Sequence, residues 1–218
     1  EVLESLPYYF NLLNTRFREK ALFQIGKGYF LENKLRESVI NLDILFLEFP
    51  NSKYLDAGLF LKGECLARSG NLDQALETYN LLIRRNKKDV WHLFALTQIG
   101  SVYSSRSEYD KAENIFKSVL EDFPNHPLFY HAALQLGNVN FSKRNVVEAA
   151  QYYSTVLKGN ILELFGQAYF SLGEIFYQQG KFERALQTFE TAMRYLEATS
   201  SWFFLTHLEI GNLQRRGG

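Results

Sequence analysis

Six glycines recur along the chain at an almost constant spacing. They are Gly26, Gly63, Gly100, Gly137, Gly173 and Gly211, and the successive differences between these numbers are 37, 37, 37, 36 and 38. A fixed period of this length is the signature of a repeat protein, in which each period is one supersecondary unit that stacks on the next. This regularity restricts the possible folds more strongly than any other feature of the sequence.

A second pattern keeps register with the glycines. We number each unit so that its glycine stands at position 8. Position 20 is small, position 24 is large and position 27 is apolar in all five complete units. The residues are Ser38, Ala75, Ala112, Ala149 and Ala185 at position 20, Leu42, Tyr79, Phe116, Tyr153 and Phe189 at position 24, and Leu45, Leu82, Val119, Val156 and Ala192 at position 27. We therefore expect positions 8 and 20 to allow close packing and position 24 to fill the space between helices.

Within each unit the apolar residues recur every three or four positions, which is typical of helices. Polar or glycine-containing stretches at 69–73, 106–110 and 179–183 interrupt the units near the middle. Gly70 and Gly180 can adopt the left-handed conformation that ends a helix. Each unit is thus predicted to be a helical hairpin, with a helix A followed by a helix B.

These positions resemble the tetratricopeptide repeat. Units one and three match its pattern best. The matching residues are Leu22, Ile25, Gly26, Tyr29, Ser38, Leu42, Leu45 and Pro50 in unit one, and Leu96, Ile99, Gly100, Tyr103, Ala112, Phe116, Val119 and Pro124 in unit three. The usual period is about 34 residues, whereas the spacing here is mostly 37. The resemblance covers roughly residues 15–214.

The resemblance implies an all-α, right-handed superhelical solenoid of about five hairpins plus a terminal helix. The predicted repeats are about 15–51, 52–88, 89–125, 126–161 and 162–197. Residues 1–14 are expected to form a leading helix or cap, and residues 198–218 the first helix of a sixth unit or a C-terminal cap. Both chain ends look cut. Because Trp202, Phe203 and Phe204 are very apolar for a solvent-facing cap, we expect either packing on the preceding helix B or further repeats, and favour the latter.

The longer period and the phrase that leads into unit two resemble a subset of bacterial envelope proteins. That subset includes the Tol–Pal-associated periplasmic protein and the assembly lipoprotein of the Bam complex. The resemblance implies a periplasmic or outer-membrane-associated location, with a cytoplasmic one left open. The single cysteine, Cys65, decides neither,.

Composition and motifs argue against several functions. Lys plus Arg and Asp plus Glu both total 24, which is unlike the basic excess of a nucleic-acid-binding protein. No apolar run approaches the length of roughly 18 residues that a membrane-spanning helix needs. No His pair, Gly-rich phosphate loop or activated nucleophile has the spacing that catalysis or metal binding requires. We expect no enzyme activity, no metal and no cofactor.

Aromatic residues make up 16% of the chain, and many fall on helix A at positions that line the concave groove in the resembling family. The predicted partner-binding residues occupy positions 5, 9 and 12. They are Phe23, Lys27, Phe30, Phe60, Glu64, Thr97, Ser101, Leu134, Asn138, Phe141, Phe170, Glu174 and Tyr177. Solvent-facing rings in such a groove would form an apolar patch of the kind that marks interaction sites.

The sequence therefore predicts a protein–protein interaction scaffold that binds a partner segment in its groove, in a bacterial envelope process. Two alternatives remain open. The chain could be a docking or regulatory segment of a larger enzyme or signalling protein, or a homo-oligomeric structural protein that associates through its terminal helix.

Overall fold

A computed structural model describes residues 15–85 and 89–217 of the chain. The expected leading helix at 1–14 lies outside the described residues. Within them, every regular element is helical. The α-helices are α1 (Thr15–Leu31), α2 (Leu35–Glu48), α3 (Leu55–Arg68), α4 (Leu72–Arg85), α5 (Val90–Ser105), α6 (Tyr109–Asp122), α7 (Leu128–Ser142), α8 (Val146–Leu157), α9 (Phe165–Gln178), α10 (Phe182–Met193) and α11 (Ser201–Gly217). A short 3₁₀ helix, Leu162–Leu164, precedes α9. The all-α prediction is confirmed.

The chain divides into two compact units between Val102 and Tyr103, a point within α5. In the first unit α1 packs on α2 and α3 packs on α4, while α2 also contacts α3. In the second unit α7 pairs with α8 and α9 with α10, and α11 packs on α10 and α9. We call α1, α3, α5, α7, α9 and α11 the A helices, and α2, α4, α6, α8 and α10 the B helices. The five repeat boundaries stay a prediction.

Each A helix joins the following B helix through a tight turn that contains one left-handed residue. These residues are Asn33, Gly70, Ser107, Arg144 and Gly180, with φ between 59° and 81°. The next N–H donates to the carbonyl five residues earlier, as from Asn71 to Leu66 at 2.9 Å and from Lys181 to Phe176 at 2.9 Å. This bond satisfies a carbonyl at the helix end. The left-handed glycines are confirmed, and three further turns use a residue with a Cβ.

The predicted packing positions form the core. All the residues at positions 20, 24 and 27 are at most 1% exposed. The glycines explain why the helices can approach so closely. A Cβ on Gly173 would come within 2.6 Å of the Phe189 ring, and one on Gly63 or Gly137 would overlap the ring of Tyr79 or Tyr153. Close A–B packing in these hairpins therefore depends on the missing side chain.

The two proline phrases end B helices in the same way. Helix α2 stops at Glu48 and α6 at Asp122, and in each case the following phenylalanine, Phe49 or Phe123, donates its N–H to the last turn. Pro50 and Pro124 come next and cannot continue the helix, because proline has no N–H to donate. After Pro50, the hydroxyl of Ser52 accepts a hydrogen bond from the N–H of Tyr54 at 3.0 Å, just before α3 begins.

Candidate interaction surface

The A helices of the first unit carry the predicted residues Phe23, Phe60 and Thr97 at position 5. The two rings are half-buried rather than free. Phe23 stacks on Tyr54 with ring centroids 4.9 Å apart. Phe60 lies against Trp91 at 6.2 Å and Phe94 at 5.6 Å. Each ring is thus held in place by an aromatic from the next A helix or the turn before it, and keeps part of its surface in solvent.

Two predicted groove residues of the second unit do not face solvent. Leu134 is 2% exposed and Phe170 is 5% exposed. The Phe170 ring lies 5.4 Å from that of Phe189 and 5.3 Å from that of Trp202. The expectation of a solvent-facing ring at 170 was therefore wrong, because Trp202 of the next A helix covers it. Trp202 itself packs, as one of the two sequence alternatives for the terminal helix required.

The position-12 residues of the second unit, Phe141 and Tyr177, remain half-buried. Phe141 packs at the edge of the cluster that contains Leu134 and Tyr153. Tyr177 contacts Phe182 at the start of α10, with centroids 5.5 Å apart. The second unit therefore keeps its partly exposed rings near the turn end of its A helices.

Position 9 is polar, and its side chain is anchored by the tyrosine at position 24. The hydroxyl of Tyr79 donates to Glu64 at 2.6 Å, and that of Tyr153 donates to Asn138 at 2.9 Å. Burial, and for Tyr79 also the charge of Glu64, raises the pKa of both phenols. Both therefore stay protonated as donors, and Glu64 and Asn138 are held in fixed positions.

The remaining predicted residues of the first unit are more exposed. Lys27 and Ser101 are exposed, and Thr97 and Phe30 are half-buried. The hydroxyls of Thr97 and Ser101 donate to carbonyls of their own helix, at 2.8 and 2.9 Å. Of these polar groups, the Lys27 ammonium is the charge that the first unit presents at position 9.

Arginine covers the ring at position 12 in both units. The guanidinium carbon of Arg68 lies 4.4 Å from the centroid of Phe30, and that of Arg216 lies 5.4 Å from the centroid of Tyr177. Both arginines stand at position 13 of the following A helix and are exposed. Sequence reasoning missed them. The signal that could have found them is an aromatic at position 12 of one unit followed by an arginine at position 13 of the next.

Glu174 differs from the other position-9 residues. Its unit has Phe189 at position 24, and a phenylalanine has no hydroxyl to donate. Burial raises the pKa of Glu174, and the negative charge of Glu209 on α11 raises it further. The second unit therefore holds two acidic side chains together on its A helices, one of them in a partly desolvated environment.

The raised pKa of Glu174 predicts a pH-dependent stability. Below the ordinary glutamate pKa of about 4.3 the carboxyl is protonated in folded and unfolded chains alike. As pH rises through the higher folded-state pKa, the native chain must accommodate a charge that it disfavours, so stability falls. We expect Glu174→Gln to raise the melting temperature at pH 7 by roughly 1–3 °C, equivalent to at most about 1 kcal/mol.

The gain should disappear near pH 4, and thermal unfolding followed by circular dichroism at both pH values measures it. Glu190→Gln, at an exposed position of α10, is the matched control and should show no gain. An equal gain for Glu174→Gln at both pH values would contradict the assignment to charge.

The described residues offer little to catalysis. Across 15–85 and 89–217, no three His, Cys, Asp or Glu side chains are grouped as a metal ion would require. Cys65 is buried and donates to the hydroxyl of Ser38 at 3.2 Å. Burial raises the pKa of this thiol, so the reactive thiolate is disfavoured. Of the helices described here, none is both long and apolar enough to cross a membrane.

Comparison with known proteins agrees with the hairpin architecture. A tetratricopeptide repeat model matches residues 97–161 and 153–195, and a second model of the same repeat matches residues 57–88. Together these matches cover more than half of the chain. A TPR repeat-containing protein of Methanocaldococcus jannaschii is 27% identical over 138 residues, which are 61% of this chain and 24% of that protein. The chain thus spans about a quarter of the length of that relative.

Solved structures show the same fold. A tetratricopeptide repeat protein from Parabacteroides merdae ATCC 43184 has a TM-score of 0.69 at 18% identity, covering 92% of this chain and 73% of that one. BtubC from P. vanneervenii has a TM-score of 0.73 at 15% identity, covering 89% of this chain and 87% of that one. At these identities the likeness concerns the fold alone.

Proposed function

Because this chain belongs to the tetratricopeptide repeat family, whose repeats generally mediate protein–protein interaction, we propose that it is a non-enzymatic scaffold. Its A helices bind a segment of a partner protein. The binding surface consists of the partly exposed residues at positions 5, 9, 12 and 13 of each compact unit. We call it the A-helix surface. Its members are Phe23, Lys27, Phe30, Phe60, Glu64, Arg68, Thr97 and Ser101 in the first unit, and Asn138, Phe141, Glu174, Tyr177 and Arg216 in the second.

The observation that carries this proposal is the aromatic ring with an arginine over it, found once in each unit. Phe30 with Arg68 and Tyr177 with Arg216 combine an apolar face with an exposed cation. Aromatic and arginine side chains contribute most of the binding energy at many interfaces. A partner segment can therefore bury apolar side chains on the rings and pair its carboxylates with the guanidinium groups.

The surface is also preformed. Tyr54 holds Phe23, Trp91 and Phe94 hold Phe60, and buried tyrosines hold Glu64 and Asn138. Since these side chains are already ordered, binding loses little conformational entropy. The partner supplies most of the ordering, which suits an extended or helical segment.

The location of this activity is part of the proposal. The resemblance of the long-period repeats to bacterial envelope proteins supports a role in an envelope process, at the periplasm or outer membrane. Fractionation of cells that express the tagged full-length protein tests the compartment, and recovery in the cytosol alone would reject the envelope role.

The second candidate is a docking segment within a larger protein. It is favoured by the length of the M. jannaschii relative, of which the matching region is 24%. Both candidates use the same A-helix surface, so the length of the full protein distinguishes them.

The binding test starts from peptides selected on the purified chain from a displayed random library. We expect selected peptides to bind the wild type and to lose at least about tenfold in affinity, or about 1.4 kcal/mol, on Phe60→Ala or Phe141→Ala. Arg68→Ala and Arg216→Ala should also weaken binding, and as exposed residues they test the surface without removing a ring.

The matched controls are Leu47→Ala on α2 and Val147→Ala on α8, which remove exposed apolar side chains, 83% and 69% accessible, from B helices. Both should bind as the wild type does. Melting curves must show that every variant is folded. Selected peptides that bind all four A-helix variants at wild-type affinity would reject the proposed surface.

A further inference from the structure

Helix α11 packs against the chain on one side only. Leu213 and Thr206 are 5% and 0% exposed, and Trp202 and Ile210 join the cluster of Phe170 and Phe189. By the glycine register α11 is a sixth A helix, with Gly211 at position 8. It thus meets α9 and α10 as an A helix meets the unit before it.

The other side of α11 exposes a row of large apolar side chains. Phe204, Leu205 and Leu208 are 64%, 46% and 55% exposed. Phe204 and Leu208 are four residues apart and therefore neighbours on one helix face. We call Phe204, Leu208 and Gly211 the outer face of α11.

The register shows what covers this face in the other units. Gly63, Gly137 and Gly173 occupy position 8 and are covered by the position-24 ring of their own B helix, whereas a Cβ on Gly211 would meet nothing within 4 Å. At position 5, Phe170 is 5% exposed and Leu208 is 55% exposed. At position 1, Gly166 lies against Leu196, just after α10, while Phe204 is exposed. The outer face is therefore an A-helix surface without its B helix.

Charge decides what kind of helix fits. Every B helix has one acidic residue in its first turn, and these are Glu37, Asp73, Asp110, Glu148 and Glu183. Helix α11 has Arg215 and Arg216 in its last turn. A helix lying antiparallel on α11, as B helices lie on A helices, would place its acidic first turn beside these arginines, where opposite charges attract.

A second copy of α11 does not meet this requirement. The first turn of α11 contains no acidic residue, so an antiparallel pair of α11 helices would leave Arg215 and Arg216 without an acidic partner at the facing end. The charge pattern therefore favours a helix of a different protein over self-association.

We propose that the outer face of α11 docks an amphipathic helix from another protein in the manner of a B helix. The docked helix lies antiparallel to α11. It carries an acidic first turn and a small residue followed four positions later by an aromatic ring, which fills the space beside Gly211. This surface lies on the opposite side of α11 from its packing on α9 and α10, and it does not require the A-helix surface.

The probe is a labelled peptide of residues 180–196, GKFERALQTFETAMRYL, which contains Glu183, Ala185 and Phe189 of α10. We expect it to bind the full chain with a dissociation constant on the order of 10–100 μM in fluorescence anisotropy, between the millimolar and nanomolar extremes of protein affinities. Gly211→Leu should weaken binding at least about tenfold, because the added side chain occupies the space that the ring requires. The Phe189→Ala peptide should lose a similar factor.

Charge reversal tests the orientation. A Glu183→Lys peptide should bind the wild type more weakly, and the Arg215→Glu, Arg216→Glu protein should restore its binding. Val147→Ala is the matched protein control and should leave the affinity unchanged.

Binding of the peptide by exchange with the native α10 would not depend on Gly211. Equal affinity for wild type and Gly211→Leu therefore overturns the proposal. Sedimentation that shows a dimer lost on Leu208→Ser, with no peptide binding to the wild type, would also overturn it and assign the face to a second copy. Neither result bears on the A-helix surface, which the peptides selected above test separately.

Discussion

Gly137→Ala is expected to destabilise the protein by about 1–3 kcal/mol, because overpacking of a filled core costs this much. The added Cβ would overlap three atoms of the Tyr153 ring. That ring cannot move aside freely, since Tyr153 is 1% exposed and its hydroxyl is bonded to Asn138. The melting temperature should fall by roughly 2–10 °C, at about 2–4 °C for each kcal/mol in a chain of this size.

The same substitution at the same repeat position should have the opposite sign at Gly211. Nothing lies within 4 Å of a Cβ there, and alanine is a better helix former than glycine by about 0.5–1 kcal/mol. Urea unfolding of both variants measures the two effects. If both variants were destabilised alike, or both stabilised, the glycine register would not act through the ring at position 24.

Tyr153→Ala should have the largest effect of any substitution considered, a loss of about 3–5 kcal/mol, as is typical when a buried aromatic is truncated. It removes the ring that fills the space between α7 and α8 and contacts Leu134 and Ala149 in the same core cluster. Because hairpins in a repeat protein share their stability with their neighbours, we expect the cooperativity of unfolding to fall as well.

Tyr153→Phe separates the ring from its hydroxyl. It keeps the packing and loses only the 2.9 Å hydrogen bond to Asn138, so it should cost about 1 kcal/mol, the usual contribution of such a bond. Phe189, which fills this position in α10 without a hydroxyl, shows that the phenylalanine ring fits the site.

A double-mutant cycle joins the two predictions. In the Gly137→Ala, Tyr153→Ala variant the cavity left by the ring accommodates the new Cβ. The double variant should therefore be more stable than the sum of the single effects predicts, by at least about 1 kcal/mol, within the range of coupling between residues in contact. Strict additivity in equilibrium unfolding would mean that Gly137 and Tyr153 do not interact as the structure shows.

Local rules explain why much of the fold could be predicted. Positions 8, 20, 24 and 27 contact one another within a single hairpin, so their sizes must match within one short stretch of sequence. The pattern of Gly137, Ala149 and Tyr153 therefore indicates close A–B packing without reference to any other unit. Gly70 and Gly180 were equally readable, because a left-handed turn is most easily made by glycine.

Turns without glycine were not predictable in this way. Asn33, Ser107 and Arg144 adopt the left-handed conformation as well, although a side chain disfavours it. The Schellman bond that follows each of them, such as the one from Asn145 to Asn140 at 2.8 Å, compensates part of that cost. The turn geometry is imposed by the two helices that must pack, rather than by the residue in the turn.

The exposure of the A-helix surface was the least predictable feature. Phe23 and Phe170 stand at the same repeat position, yet Phe170 is buried because Trp202 from the next helix lies against it. Arg68 and Arg216 were missed for the same reason, since each covers a ring of the preceding repeat. Such contacts join different repeats and leave no short-range pattern.

By itself the sequence determined that the chain is all-α, that its helices pair as hairpins, and which residues form the core of each pair. The tertiary structure decided which aromatic rings keep contact with solvent, which arginines cover them, and that the outer face of α11 stays exposed. The physical reason is the range of the contacts. Packing within a hairpin is fixed by complementary side chains close in sequence, whereas exposure depends on what the neighbouring repeat places against each helix.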